Sequence, residues 1–161
     1  MKEIPHELLK DILITPIGSI KSEIIDDDIK GRNHISKIVI NKNLTKALDG
    51  IEDFSHIYVI FWMHKIKNTA YLHHPNKKLG SKPKGIFATR APIHTNPIGL
   101  TLVELINREE NILMVRGLDA INGTPVLDIK PYPDWEQGYC IVVNDFKVPN
   151  WLKKKNPDYK E

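Results

Sequence analysis

Apolar residues in this chain come in short alternating runs, separated by Gly, Pro, Asn and Asp. Alternation with a period of two turns one side of an extended chain towards a core. It predicts strands over Ile12–Ile20, Ile35–Asn41, His56–Met63, Gly85–Thr89, Ile98–Ile106, Ile112–Leu118 and Pro125–Lys130. One short helix is expected from Leu44 to Leu48, stopped by Asp49-Gly50. Many short strands with few helices between them give a mainly β fold, an antiparallel barrel or sandwich rather than a βαβ array.

Three of these segments predict more than their own conformation. In "SHIYVIFWMH", Ile57, Val59, Phe61 and Met63 form a wholly apolar face, which belongs in the core. His56, Tyr58, Ile60, Trp62 and His64 form a mixed face, suited to a pocket, a subunit interface or a half-exposed exterior. "LINREENIL" reads as a hairpin with polar Asn107–Asn111 at its tip. "GLDAINGTPVLDIK" reads as a second hairpin, with Asn122-Gly123 as a type I′ turn. That register pairs Ala120 with Pro125, Asp119 with Val126 and Gly117 with Asp128, leaving space beside the Asp128 carboxylate.

The 161 residues suit one domain, and 41% hydrophobic content is enough for a core. The longest apolar run, Ile57–Met63, is far short of the roughly 20 residues that cross a bilayer. The opening "MKEIPHELLK" lacks the apolar stretch of a signal peptide. The one cysteine, Cys140, excludes an internal disulfide and reads as a buried small hydrophobe. A cytoplasmic protein with no membrane partner is expected. The net charge of +3 is unevenly placed: Lys65, Lys67, Lys77, Lys78, Lys82 and Lys84 fall in a stretch without an acidic residue. Such a stretch attracts phosphate-bearing partners, and it equally suits a solvated lysine-rich loop.

The chain has no glycine-rich βα turn, Walker loop, nucleophile elbow, HExxH or CxxC. No metal site is expected either, since His56 and His64 on one strand stand about 26 Å apart at ~3.3 Å per residue. Two stretches carry chemistry. In "GIFATRAPIHTNPIGLT", two prolines stiffen a loop beside Arg90, which suits a carboxylate or an aromatic ring as ligand; a structural turn with Arg90 paired to a core carboxylate fits as well. In "TPVLDIKPYPDW", Asp128, Lys130 and Tyr132 alternate at a strand end. They suit holding or activating a substrate amine, or a plain Asp128–Lys130 surface salt bridge.

Read together, "PIGSIKS", "IEDFSHIYVIFWMH", "GIFATRAPIHTNPIGLTLVEL" and "GLDAINGTPVLDIKPY" resemble, in that order, the TsaA-like, or TrmO, proteins. The similarity covers roughly residues 14 to 134. That family consists of S-adenosylmethionine-dependent methyltransferases acting on N6 of the modified adenosine t6A at position 37 of tRNA. Its fold is a dimeric β-barrel unrelated to the Rossmann enzymes. The resemblance implies a TsaA-like barrel over residues 1–135, and a C-terminal extension over 136–161 that packs on it and ends in a basic tail. It also implies cofactor contacts from His64, Lys65, Arg90, Asn96 and Leu100, and from the turn of Asp119, Ala120, Ile121, Asn122, Gly123 and Thr124. The family's usual Pro-Arg-Gln is replaced around Asp28-Ile29-Lys30, leaving Lys30 and Arg32 as stand-ins, and its usual Arg-Pro is replaced by His94-Thr95.

Methyl transfer from a sulfonium is an in-line displacement that requires alignment and no metal. The adenine N6 lone pair is delocalised, so an acceptor aimed at the amine localises it and receives its proton. Asp128, or a backbone carbonyl near Lys130-Pro131, is the candidate acceptor, with Tyr132 stacking on or positioning the base. The partner expected from the basic stretch and the resemblance is the anticodon loop of tRNA. Two other readings remain open: the same cofactor with another RNA or a small-molecule acceptor, and a barrel that binds RNA without catalysis.

Overall fold

The computed structural model describes residues 12–23, 33–74 and 82–132. The chain divides into two compact units, one built from residues 1–67 and 97–132 and the other from 68–96 and 133–161. The first unit is a closed antiparallel barrel of six strands. These are β1 (Gly18–Lys21), β2 (Ile35–Ile40), β3 (His56–Trp62), β6 (Ile98–Glu109), β7 (Ile112–Arg116) and β8 (Pro125–Pro131), in the order β1-β2-β7-β6-β3-β8. The second unit holds a two-stranded ladder, β4 (Leu72–His73) with β5 (Lys84–Gly85), followed by a 3-10 turn over Ile86–Ala88. Among the described residues, no helix is long and apolar enough to cross a membrane.

The barrel interior follows from the alternation. Ile57, Val59 and Phe61 of β3 are buried, as are Ile38 and Ile40 of β2, Val103 and Leu105 of β6, and Leu113 and Val115 of β7. Met63 packs against this core from its edge. On the outer side of β3, Tyr58, Ile60 and Trp62 stay half-buried beside Leu102, Leu100 and Ile98, their partners across β6. The β6–β7 hairpin closes through Glu110-Asn111, with Glu109 opposite Ile112. The short helix is a 3-10 helix over Lys42–Leu48, and Leu48 enters the core.

One side chain ties that helix to the hairpin. Arg108 donates to the carbonyls of Leu48 (2.9 Å), Thr45 (3.3 Å) and Glu110 (2.9 Å). The same guanidinium pairs with Asp49 (2.9 Å) and Glu52 (3.1 Å). The hydrogen bond that Arg108 donates to Asp49 raises the Arg108 pKa. Glu52 is held below its ordinary value, first by a backbone hydrogen bond and then by Arg108.

Three expectations are corrected. The strand expected over Ile12–Ile20 is confined to Gly18–Lys21; Pro16 breaks the extended run, and Ile12 and Leu13 stand exposed. The strand expected over Gly85–Thr89 is two residues of β5 and a 3-10 turn, because the Thr89 hydroxyl donates back to the Ile86 carbonyl at 2.8 Å. The hairpin expected around Asn122-Gly123 does not form. β8 pairs with β1 (Gly18 opposite Val126) and β3, and β7 pairs with β2 and β6. Buried Leu118 and Ala120 anchor the connection in the core instead, and Gly117 donates to His34 O at 3.1 Å. Only Gly123 of the turn pair has positive φ (+80°), which fits a type II turn and not type I′.

Candidate functional site

Antiparallel pairing brings one end of each barrel strand to a common mouth. β3 ends there at Trp62 opposite the start of β6 at Ile98; β7 ends at Arg116 opposite the start of β2 at Ile35. The start of β8 and the end of β1 lie at the same end, with Ser19 opposite Pro125. His64 and Lys65, just past β3, and the connection from Asp119 to Thr124 therefore gather at this mouth.

Local sequence explains how the connection is held. Leu118 and Ala120 are buried on either side of exposed Asp119, so the chain is pinned while Asp119 stays open to solvent. Asp119 Oδ1 accepts a hydrogen bond from the Thr101 hydroxyl. Thr101 lies opposite Val59 on the inward row of β6, the polar position of a row continued by Val103 and Leu105. The turn is laced to β1: Gly123 donates to Ile20 O at 2.8 Å, Ile20 to Thr124 O at 2.9 Å, and Ser22 to Asn122 Oδ1 at 3.2 Å. Asn122 and Gly123 remain exposed. Gly99 sits where a side chain would have no room. A Cβ there would lie 2.3 Å from atoms of the Phe61 ring, which takes that space.

Leu100, 51% exposed, points outward beside Ile60, and Asp128 flanks Ile60 from the other side. At about 4.8 Å between strands, Leu100 and Asp128 are thus ~10 Å apart in one outer row. Asp128 Oδ1 accepts from the Ile129 N–H at 2.9 Å, and Oδ2 pairs with Lys130 Nζ at 2.6 Å. Tyr132 stacks at a tilt on Tyr58, with ring centres 5.7 Å apart. The surface pair read from the sequence is present, then, in the same place as the candidate acid–base group. Along β8, Asp128 lies four residues from Thr124, some 13 Å at ~3.3 Å per residue. The structure gathers the cofactor candidates of the turn at the mouth and sets Asp128 and Tyr132 on the outer wall.

In the second unit, Arg90 and Asn96 are exposed, and Arg90 makes no ion pair among the described residues. His94 donates through Nε2 to Thr89 O at 3.1 Å, and its ring stands 5.9 Å from Phe87. Lys30, Arg32 and the extension over 136–161 lie outside the described residues. Among the described residues no cluster of three or more His, Cys, Asp or Glu is arranged for a metal ion. Sequence reasoning missed Thr101, the Phe61–Gly99 contact and His34, whose Nε2 donates to Leu118 O at 2.5 Å. The row of β6 contained the signal for Thr101, since alternation from Val103 and Leu105 sets it facing inward.

Comparison with known proteins agrees with this architecture. Residues 25–135 match the TrmO_N family, the tRNA-methyltransferase O N-terminal domain. A probable S-adenosyl-L-methionine-binding protein of Methanothermobacter thermautotrophicus is 44% identical over 127 residues, covering 76% of this chain and 90% of that protein. A tRNA (adenine(37)-N6)-methyltransferase of Rattus norvegicus is 36% identical over 132 residues, which is 80% of this chain and 30% of the rat protein. The crystal structure of TrmO from Pseudomonas aeruginosa superposes with a TM-score of 0.66 at 29% identity, over 85% of this chain and 61% of the solved one. The chain therefore spans most of its archaeal relative and less than two thirds of the solved bacterial protein. On the matched domain, the barrel topology and the identity to these relatives, the chain belongs to the TrmO family.

Proposed function

We propose that this protein is an S-adenosylmethionine-dependent methyltransferase acting on the N6 amine of t6A at position 37 of tRNA, as a cytoplasmic homodimer. The observation that carries the reading is the Asp119 carboxylate, clamped by Thr101 through one oxygen beside an exposed glycine turn at the barrel mouth. The donor set fits the cofactor. Asp119 suits its ribose hydroxyls or ammonium group, and His64 and Lys65 suit its carboxylate. Leu100, named by the family resemblance, offers an apolar contact to its adenine from the edge of the outer row. Lys30, Arg32, Arg90 and Asn96 join this set through the family resemblance.

When bound, the cofactor supplies an electrophilic methyl group. The chain's own residues orient the acceptor amine and take its proton. Asp128 is the proposed acceptor. Its bond to Lys130 joins two half-exposed groups, and such pairs are worth only about 0–1 kcal/mol, so a substrate amine can replace the lysine. Tyr132, already packed on Tyr58, offers a ring against the base. The outer face of Tyr58, Ile60, Trp62, Ile98, Leu100 and Leu102 supports a homodimer, because a contiguous apolar surface of this kind is costly in water.

Calorimetric titration with S-adenosylmethionine tests the cofactor reading. Wild type is expected to bind in the micromolar range, and Asp119→Asn to bind about 10- to 100-fold more weakly, the scale of a charge-assisted hydrogen bond. No heat from folded wild-type protein would remove the cofactor from the account. A second reading keeps the cofactor and changes the acceptor to another RNA or a small molecule. It is favoured by His94, which stands where the family has arginine and spends its Nε2 proton on Thr89 O.

A further inference from the structure

In the second unit, Ile86 is buried and the 3-10 turn around it is closed twice, by Thr89 N (3.0 Å) and Thr89 Oγ1 (2.8 Å), both donating to Ile86 O. The next residue, Phe87, is 84% exposed on that fixed turn. Its ring faces His94 at 5.9 Å and 59°, and His94 is itself held by Thr89 O. Tyr71, 87% exposed, accepts through its carbonyl from Ile86 N at 2.9 Å, so a third ring projects from the neighbouring strand end. A turn that buries Ile86 while displaying the neighbouring ring is organised for contact with something else.

Charge identifies the partner. Residues 68–96 contain no Asp or Glu, and they carry Lys77, Lys78, Lys82, Lys84 and Arg90. Lys84 stands opposite His73 in the ladder, directly before the aromatic turn. A segment whose charges are all of one sign attracts a polyanion. A polyanion that also requires flat apolar surfaces is a nucleic acid with unstacked bases.

We propose that the Phe87–His94 ring pair is a stacking platform for an unpaired base of RNA, with Lys82 and Lys84, which precede the turn in the chain, holding the flanking phosphates. This rests on the reading that the acceptor is RNA. It adds the surface that recognises a loop rather than a duplex, on a residue, His94, where this chain departs from its family's usual sequence.

The test is binding of a fluorescent anticodon stem-loop RNA, compared with a fully paired hairpin of equal length. Phe87→Leu keeps an apolar side chain on the turn and removes the ring; Phe87→Trp enlarges it. Wild type should prefer the stem-loop. Phe87→Leu should lose roughly tenfold in stem-loop affinity, the scale of one base–aromatic stack, with little change for the paired hairpin. Phe87→Trp should hold or gain. Lys82→Glu should weaken both RNAs together. Equal stem-loop affinity of Phe87→Leu and wild type overturns the platform. So does a Phe87→Leu protein whose change appears in its sedimenting mass instead of its RNA binding. If wild type binds neither RNA but still binds S-adenosylmethionine, the platform and the tRNA acceptor both fall while the cofactor reading stands.

Discussion

Thr101 shows how one side chain sets a site. Its side chain is carried on a strand whose inward row continues with Val103 and Leu105, so the sheet sets the side of the strand from which the hydroxyl reaches Asp119. Asp119, exposed on a connection, has no such support except through Thr101. In the calorimetric titration, Thr101→Val keeps the shape and releases the carboxylate. It should weaken S-adenosylmethionine about 2- to 10-fold, the worth of one net hydrogen bond, while Thr101→Ser stays near wild type. Equal affinity of Thr101→Val and wild type would mean that the clamp has no part in binding. The inward direction of Thr101 could be read from alternation with Val103 and Leu105; its partner could not, because Asp119 is set by tertiary register, 18 residues away.

At the scale of elements, Arg108 decides whether the 3-10 helix stays on the hairpin. Five hydrogen bonds converge on one guanidinium, two of them to carboxylates. Because Glu52 is held below its ordinary value, its contribution is present above the unfolded carboxylate range and is lost as pH falls through the folded value. Arg108→Gln should lower the melting temperature by several degrees near neutral pH. The difference should narrow as pH falls below the ordinary glutamate range and Glu52 takes up its proton, leaving the lost carbonyl bonds. A gap that is constant from neutral to acid pH would assign the effect to packing alone.

The same scale shows what the sequence carried. β3 was legible in full, because Ile57, Val59 and Phe61 alternate without a break and one face had to be core. β8 was legible as a strand but not in its partners. Asn122-Gly123 signals a local hairpin, yet Leu118 and Ala120 gain more by entering the core than by pairing along a ladder. The barrel closes through β1 and β8, more than 100 residues apart in the chain, and turn chemistry does not report such contacts. The candidate site residues came from family resemblance; their division between mouth and outer wall required the register.

For the whole molecule, the outer face of β3, β6 and β8 is the feature to explain. Ile98, Leu100 and Leu102 are each 40% exposed or more and stand beside Ile60 and Trp62. Sedimentation should find two copies, and Leu102→Glu, which buries a charge in the proposed interface, should shift the protein to one copy without unfolding it. A wild-type monomer at micromolar concentration would leave that face needing another partner.

The most direct test of the account is transfer of a labelled methyl group from S-adenosylmethionine to tRNA containing t6A, catalysed by wild type and by Asp128→Asn. The account predicts label on N6 of the modified adenosine, and a rate at least about 100-fold lower for the variant, the lower range of general-base catalysis. No transfer by folded, cofactor-binding wild type would contradict the activity. Transfer by Asp128→Asn within a few-fold of wild type would keep the enzyme and remove Asp128 from its chemistry.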